Sequence, residues 1–172
     1  MCGFVGAFQP TANRVTSRDI LIRMRDKMVH RGPDAKGIYR SPDDRGGMGF
    51  RRLSIIDLSD AASQPMLNDD GRVALVYNGE IYNHREIRSE LEALGKFAWK
   101  TDHSDTEVLL RAYEEWGIGC LDRLNGMFSF AIYDMRNRNR PILHIVRDRL
   151  GIKPVYFSRT TQGEWLFASE IR

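Results

Sequence analysis

The chain has 172 residues, 42% hydrophobic and 28% charged, and its 26 Lys and Arg against 23 Asp and Glu leave a net charge of +3. That length and balance fit one soluble, globular domain large enough to bury its own core. Two cysteines make no disulfide framework, and no apolar run approaches the roughly 20 residues of a membrane span. The basic residues are scattered, without the aromatic–basic stripe of a nucleic-acid surface, so neither nucleic acid nor membrane is expected as a partner. No signal peptide is legible before Cys2, and the expected compartment is the reducing cytoplasm.

An apolar stretch, Gly3 to Phe8, predicts a first strand closed by Pro10; its glycines mark close approach of backbone or ligand. A helix from about Ser17 to Val29 follows, with Ile20, Leu21, Met24 and Met28 on one face. Short strands are expected at 36–41, 47–55 and 72–77. A second helix starts at Asn83, with Glu86 placed to complete its cap, and turns Ile87, Leu91 and Leu94 inward. A third starts at Ser104, capped with Glu107, buries Val108, Leu109, Ala112 and Trp116, and ends at Gly117. The remaining strands fall at 127–134, 141–147, 154–158 and 164–169, and Arg136, Arg138 and Arg140 read as a solvated hairpin tip. This order lacks βαβ alternation and predicts an α+β layered fold with mostly antiparallel sheets.

Cys2 directly follows Met1. If Met1 is removed, one α-carbon carries both a thiol and a free α-amine. The amine titrates near 7.7–8.0 and can act as a base near neutral pH, whereas an unaided thiol is only a few per cent thiolate at pH 7. A terminal amine activating its own side chain is a known form of nucleophile–base pair. By position alone, Cys2 reads equally as a small buried apolar residue.

Other clusters interrupt the periodic segments. In Asn78-Gly79-Glu80-Ile81-Tyr82-Asn83, an amide side chain beside a glycine N–H offers two donors to an oxyanion; alone, Asn-Gly also reads as a turn. Arg52 ends an apolar strand, where its planar fork suits a carboxylate. Asp105 can complement the start of the third helix or pair with an ammonium group. His30-Arg31-Gly32-Pro33-Asp34 reads as a loop closing over a ligand or as a plain turn. The four histidines have no metal-ligand spacing, so no metal site is expected. Neither a Walker A motif nor a Ser-Gly-Gly-x-Asp-Ser nucleotide loop occurs.

Together, Met1-Cys2-Gly3, His30–Asp34, Arg52-Leu53-Ser54-Ile55, Asn78–Asn83, Ser104-Asp105-Thr106-Glu107, Asn125-Gly126-Met127-Phe128 and Arg147-Asp148-Arg149-Leu150-Gly151 resemble class II glutamine amidotransferase domains. The likeness is nearest to the N-terminal glutaminase domain of glutamine-hydrolysing asparagine synthetases, and it spans residues 1–172 in order. It implies a four-layer αββα N-terminal-nucleophile hydrolase sandwich that hydrolyses L-glutamine to glutamate and ammonia. Cys2 would attack the γ-amide, with its α-amine shuttling the proton, and Asn78 and Gly79 would hold the oxyanion. Arg52 would bind the α-carboxylate and Asp105 the α-ammonium. Leu53, Ser54, Ile55 and Ile56 would line the pocket with Glu80 adjoining it, and His30–Asp34 would close over the glutamine. Cys120 matches no such position and is assigned to the core.

The resemblance further implies a C-terminal ATP-dependent synthetase domain, absent from this chain, that would use ATP and magnesium; this domain itself would need no cofactor. Ala168 to Arg172 follows an apolar strand without a polar tail and leads to the expectation of a truncated or excised domain. A homodimer is a further expectation. Two alternatives stay open: an amidotransferase serving another acceptor, such as a surface polysaccharide or a secondary metabolite, and a non-catalytic glutamine-binding module.

Overall fold

The computed structural model describes residues 2–11, 16–53 and 63–171. In chain order the first elements are β1 (Gly3–Phe8), α1 (Arg18–Asp26), β2 (Ala35–Arg40), β3 (Gly46–Arg52), β4 (Met66–Leu67) and β5 (Val73–Ile81). Then come α2 (His84–Ala93), α3 (Asp105–Trp116), a 3₁₀ turn (Gly117–Asp122), β6 (Gly126–Asp134), β7 (Ile142–Arg147), β8 (Tyr156–Arg159) and β9 (Trp165–Ala168).

The strands form two sheets, ordered β2-β3-β1-β9-β8 and β4-β5-β6-β7, and every described pairing is antiparallel. Alternation along each strand sends side chains to opposite faces. Phe4, Phe8, Met48, Phe50 and Phe167 of the first sheet meet Ala74, Val76, Ala131 and Tyr133 of the second in a core between the sheets. The other face of the second sheet, with Val73, Leu75, Tyr77, Phe130 and Ile132, packs on Leu91 of α2 and Val108, Leu109 and Ala112 of α3. Across the molecule, Leu21 of α1 packs on Ala7 of β1. The layers therefore run helix, sheet, sheet, helices. Among the described residues no helix is long and apolar enough to cross a membrane.

The predicted elements recur with local differences. Helix α1 stops at Asp26 rather than Val29, and residues 27–31 form turns. Leu21 and Met28 are buried, but Ile20 is 41% exposed, because one residue of helix rotates a side chain by about 100° away from its neighbour. Leu94, just past α2, is likewise exposed.

Neither predicted side-chain cap forms. Asn83 instead binds the turn before β6, donating from Nδ2 to the Arg123 carbonyl (2.9 Å) and accepting at Oδ1 from Asn125 N–H (2.9 Å). Glu107 accepts from the Lys100 and Thr101 N–H groups and from the Thr101 hydroxyl, the last at 2.7 Å. It fastens the loop entering α3, whose buried Arg111 pairs with Asp69 and Glu114. Cys120 is buried in the helical core as expected, and burial pushes its thiol up to about 11.

Most consequential is β5, which runs to Ile81 instead of ending near residue 77. Its ladder with β6 continues through Asn78↔Ser129 and Gly79↔Phe128 to Ile81↔Gly126. Asn78-Gly79 is thus strand, not turn.

A methyl on Gly6 would lie 2.0 Å from Phe167 Cζ. We expect Gly6→Ala to lower the free energy of unfolding by about 1–3 kcal/mol, the usual cost of overpacking. Phe167→Leu should recover part of that loss in the double variant, which urea denaturation would measure.

Candidate functional site

Cys2 stands just ahead of β1, half-buried against the inter-sheet core. Its Sγ lies 3.4 Å from the Leu53 nitrogen, whose N–H donates to it, and 3.6 Å from the Leu53 carbonyl, to which the thiol donates. Leu53 comes directly after β3, so the pairing Gly3↔Arg51 sets this contact. Burial pushes the Cys2 thiol above its ordinary value; the Leu53 N–H and the Arg52 charge oppose that rise, and the Asp105 charge adds to it. The surroundings therefore do not supply a thiolate unaided, and activation needs a base.

Arg52 is buried at the end of β3. It shares a strand face with Met48 and Phe50, the face turned toward the second sheet, whereas Arg51 points to α1 and pairs with Asp26 at 2.6 Å. Asp105, the first residue of α3, is buried behind β5. Its Oδ2 accepts from the Tyr77 hydroxyl at 2.6 Å and from Ile81 N–H at 3.2 Å. Burial raises the Asp105 carboxyl above its ordinary value despite those bonds, the Thr106 N–H and the His84 charge. The thiol thus lies within electrostatic reach of one buried cation and one buried carboxyl group.

On β5, Asn78 shares its face with Ala74 and Val76, so it looks into the inter-sheet space on which Cys2 borders. Its Nδ2 is buried and has no hydrogen-bond partner among the described residues. An orphaned buried donor costs about 1–3 kcal/mol and marks a place where a ligand can supply the missing acceptor. Gly79 is irreplaceable in shape: a Cβ there would sit 2.4 Å from the Met127 carbonyl oxygen and 2.7 Å from Phe128 Cα. Glu80 is exposed, and Leu53 is half-buried. Ser54, Ile55 and Ile56, also expected at the site, lie outside the described residues. Among the described residues, no three His, Cys, Asp or Glu side chains are grouped to hold a metal ion.

Three contributors escaped sequence reasoning. Tyr77 holds Asp105 through a hydroxyl that, in sequence, reads only as a core aromatic. Gln64 is buried and bridges β5 to α3, accepting from Tyr77 N–H (2.6 Å) and donating to the Thr106 hydroxyl (3.4 Å). Arg31, expected in a loop over the ligand, donates through Nε to the Cys2 carbonyl at 3.1 Å.

Two antiparallel sheets packed face to face with helices outside, and a cysteine just ahead of the central strand, are the arrangement of the N-terminal-nucleophile hydrolase fold. The chain belongs to the glutamine amidotransferase domain family, whose pattern matches residues 1–172. It is 44% identical to asparagine synthetase [glutamine-hydrolyzing] 1 of Bacillus subtilis over 99% of its own length and 26% of that protein's. It is 39% identical to asparagine synthetase B [glutamine-hydrolyzing] of Escherichia coli, over 100% of this chain and 29% of that protein. In fold it matches the glutamine phosphoribosylpyrophosphate amidotransferase of B. subtilis with a TM-score of 0.77, at 20% identity, over 98% of this chain and 42% of the other. The chain spans between a quarter and a third of the length of these two synthetases.

A raised folded-state pKa means that the native state holds its Asp105 proton where the unfolded chain has lost it. Stability therefore falls as pH rises from about 4 through the raised value. Asp105→Asn removes that loss. Relative to wild type, the variant should melt at an equal or higher temperature at about pH 7, with the gain fading toward about pH 4. A variant melting below wild type at the higher pH would show that the carboxylate is net stabilising.

Proposed function

We propose that this domain performs the glutaminase half-reaction of a glutamine-hydrolysing asparagine synthetase. The observation that carries the reading is the pair of opposite charges, Arg52 and Asp105, acting on one half-buried thiol. An α-amino acid is zwitterionic and needs both a cation and an anion to hold it, and the group to be attacked must then reach the sulfur. A guanidinium fork binds the α-carboxylate, and Asp105, kept in place by Tyr77 and Ile81, binds the α-ammonium.

After removal of Met1, the Cys2 α-amine takes the thiol proton as sulfur attacks the γ-carbonyl carbon. The orphaned Asn78 Nδ2 and the Gly79 N–H receive the developing oxyanion. Collapse breaks the C–N bond. The ammonium formed from the α-amine returns its proton to the leaving nitrogen, which departs as ammonia. Water, deprotonated by the same amine, then hydrolyses the thioester to glutamate and regenerates the thiol. Leu53, in contact with the Cys2 thiol, lines the substrate pocket, and Glu80 adjoins it. This half-reaction uses no cofactor. The ammonia passes to an ATP-dependent portion of a longer protein, with aspartate as acceptor, in the cytoplasm.

Intact mass and glutamate release measured on one sample test the reading: loss of Met1 with steady glutamate release supports it. Cys2→Ala should abolish release while glutamine still binds calorimetrically, and retained turnover would remove Cys2 from the chemistry. Asn78→Ala should lower kcat by about 10²–10³, the usual cost of one oxyanion donor. Asp105→Asn should act chiefly on KM, because a charge-assisted bond to the ammonium is weakened before and during reaction alike.

A further inference from the structure

The segment after β9 returns to the start of the chain. Ser169 is fully buried; its N–H donates to the Phe4 carbonyl (2.9 Å), and its hydroxyl accepts from Phe4 N–H (3.0 Å). The next residue, Glu170, accepts at Oε2 from Arg31 Nη1 at 3.4 Å, and the same oxygen lies 3.1 Å from His30 Nε2. Arg31 then donates through Nε to the Cys2 carbonyl. The Arg31 side chain is only 11% exposed and that of Glu170 18%, so solvent screens this pair weakly. Among the described residues, Glu170 is the carboxylate with which Arg31 pairs.

The held group is the carbonyl of Cys2, not its amine. The contact therefore survives removal of Met1 and fixes the peptide plane of the reacting residue. Fixing that plane fixes the Cys2 α-carbon and the Cα–C axis about which thiol and amine turn together. Among the described residues the buried Arg31 Nη2 has no partner, so neutralising Glu170 leaves the guanidinium free to turn and release the carbonyl.

We propose that Glu170 is a positioning residue for the Cys2 nucleophile: it anchors Arg31, and Arg31 clamps the Cys2 carbonyl. The end of β9 thereby controls the attitude of a thiol at the opposite end of the sequence. In its kinetic consequence this rests on the glutaminase reading; in its effect on Cys2 reactivity it does not.

The test uses the full chain with Met1 removal verified by mass. Glu170→Gln is the variant, since Glu170 borders an open groove with Arg23 and Lys27 and an amide there stays partly solvated. Two readouts are taken: glutamine kinetics, and the rate of iodoacetamide alkylation located at Cys2 by peptide mapping. We expect kcat to fall about tenfold with KM within about twofold of wild type, as for a small misplacement of a reacting group.

Alkylation of Cys2 should slow. Loss of a carboxylate acting only through its charge would favour the thiolate and quicken alkylation, so the direction separates positioning from simple electrostatics. In an Arg31→Met background, Glu170→Gln should have no further effect, because both act through one contact. Unchanged or faster alkylation, or effects that add in the double variant, overturns the proposal. If wild type releases no glutamate, the glutaminase reading fails by itself, and the alkylation cycle still decides the role of Glu170.

Discussion

The first strand must be immobile for this chemistry, and chain termini are ordinarily the least ordered part of a domain. Here β1 is not an edge. It is the middle strand of five, paired along its length with β3 and from Val5 to Phe8 with β9. Phe4 and Phe8 anchor one face of it between the sheets, while Gly3, Val5 and Ala7 lie on the other face, where Ala7 meets Leu21 of α1. Gly6 admits the Phe167 ring where any side chain would exclude it. The last strand thus locks the first, and Cys2 inherits its position from both.

Around that fixed point, the site carries costs rather than gains. The thiol is desolvated, Asp105 is a buried carboxyl whose ionisation is penalised, and the Asn78 amide donor is orphaned. Each raises the free energy of the empty site. On the glutaminase reading a zwitterionic amide relieves two of the three: its ammonium meets Asp105, and its carbonyl oxygen meets Asn78 as charge grows there. Donors already aimed at that oxygen need no reorganisation during reaction. Tyr77 and the Ile81 N–H let Asp105 wait in the buried position, and two neutral donors leave more of its charge available to a ligand than an arginine partner would.

An α+β layered fold was legible because the apolar periods change from strand to helix at glycine and polar breaks, whereas the four-layer order and the site residues were legible only through the family resemblance of the motifs taken together. Boundaries and capping were not. Asn83 and Ser104 carry the right side chains for caps, but the Arg123 carbonyl and the Lys100–Thr101 backbone compete for Asn83 and Glu107 and win. Asn-Gly at 78–79 reads as a turn from local preference, yet nine residues of ladder with β6 hold it extended. Tyr77 was invisible as a site residue, and Arg31, expected in the loop over the ligand, was invisible as a partner of Cys2, because Asp105 and the Cys2 carbonyl lie 28 and 29 positions away in sequence.

That long ladder explains why β5 can serve two sides of the site at once. Tyr77 turns toward the helices and grips Asp105, while Asn78 turns toward the space on which Cys2 borders. Their roles differ only because successive side chains point to opposite faces. A one-residue slip of β5 would exchange them, burying the amide among the helices and driving the phenol between the sheets. Register is therefore a requirement of the chemistry, not only of the core. It is secured by Val73, Leu75 and Ile81, all fully buried, and by Gly79, where the β6 backbone leaves no room for a side chain. The glycine beside Asn78 thus forbids the neighbouring register, and on the glutaminase reading its N–H is the second donor to the oxyanion.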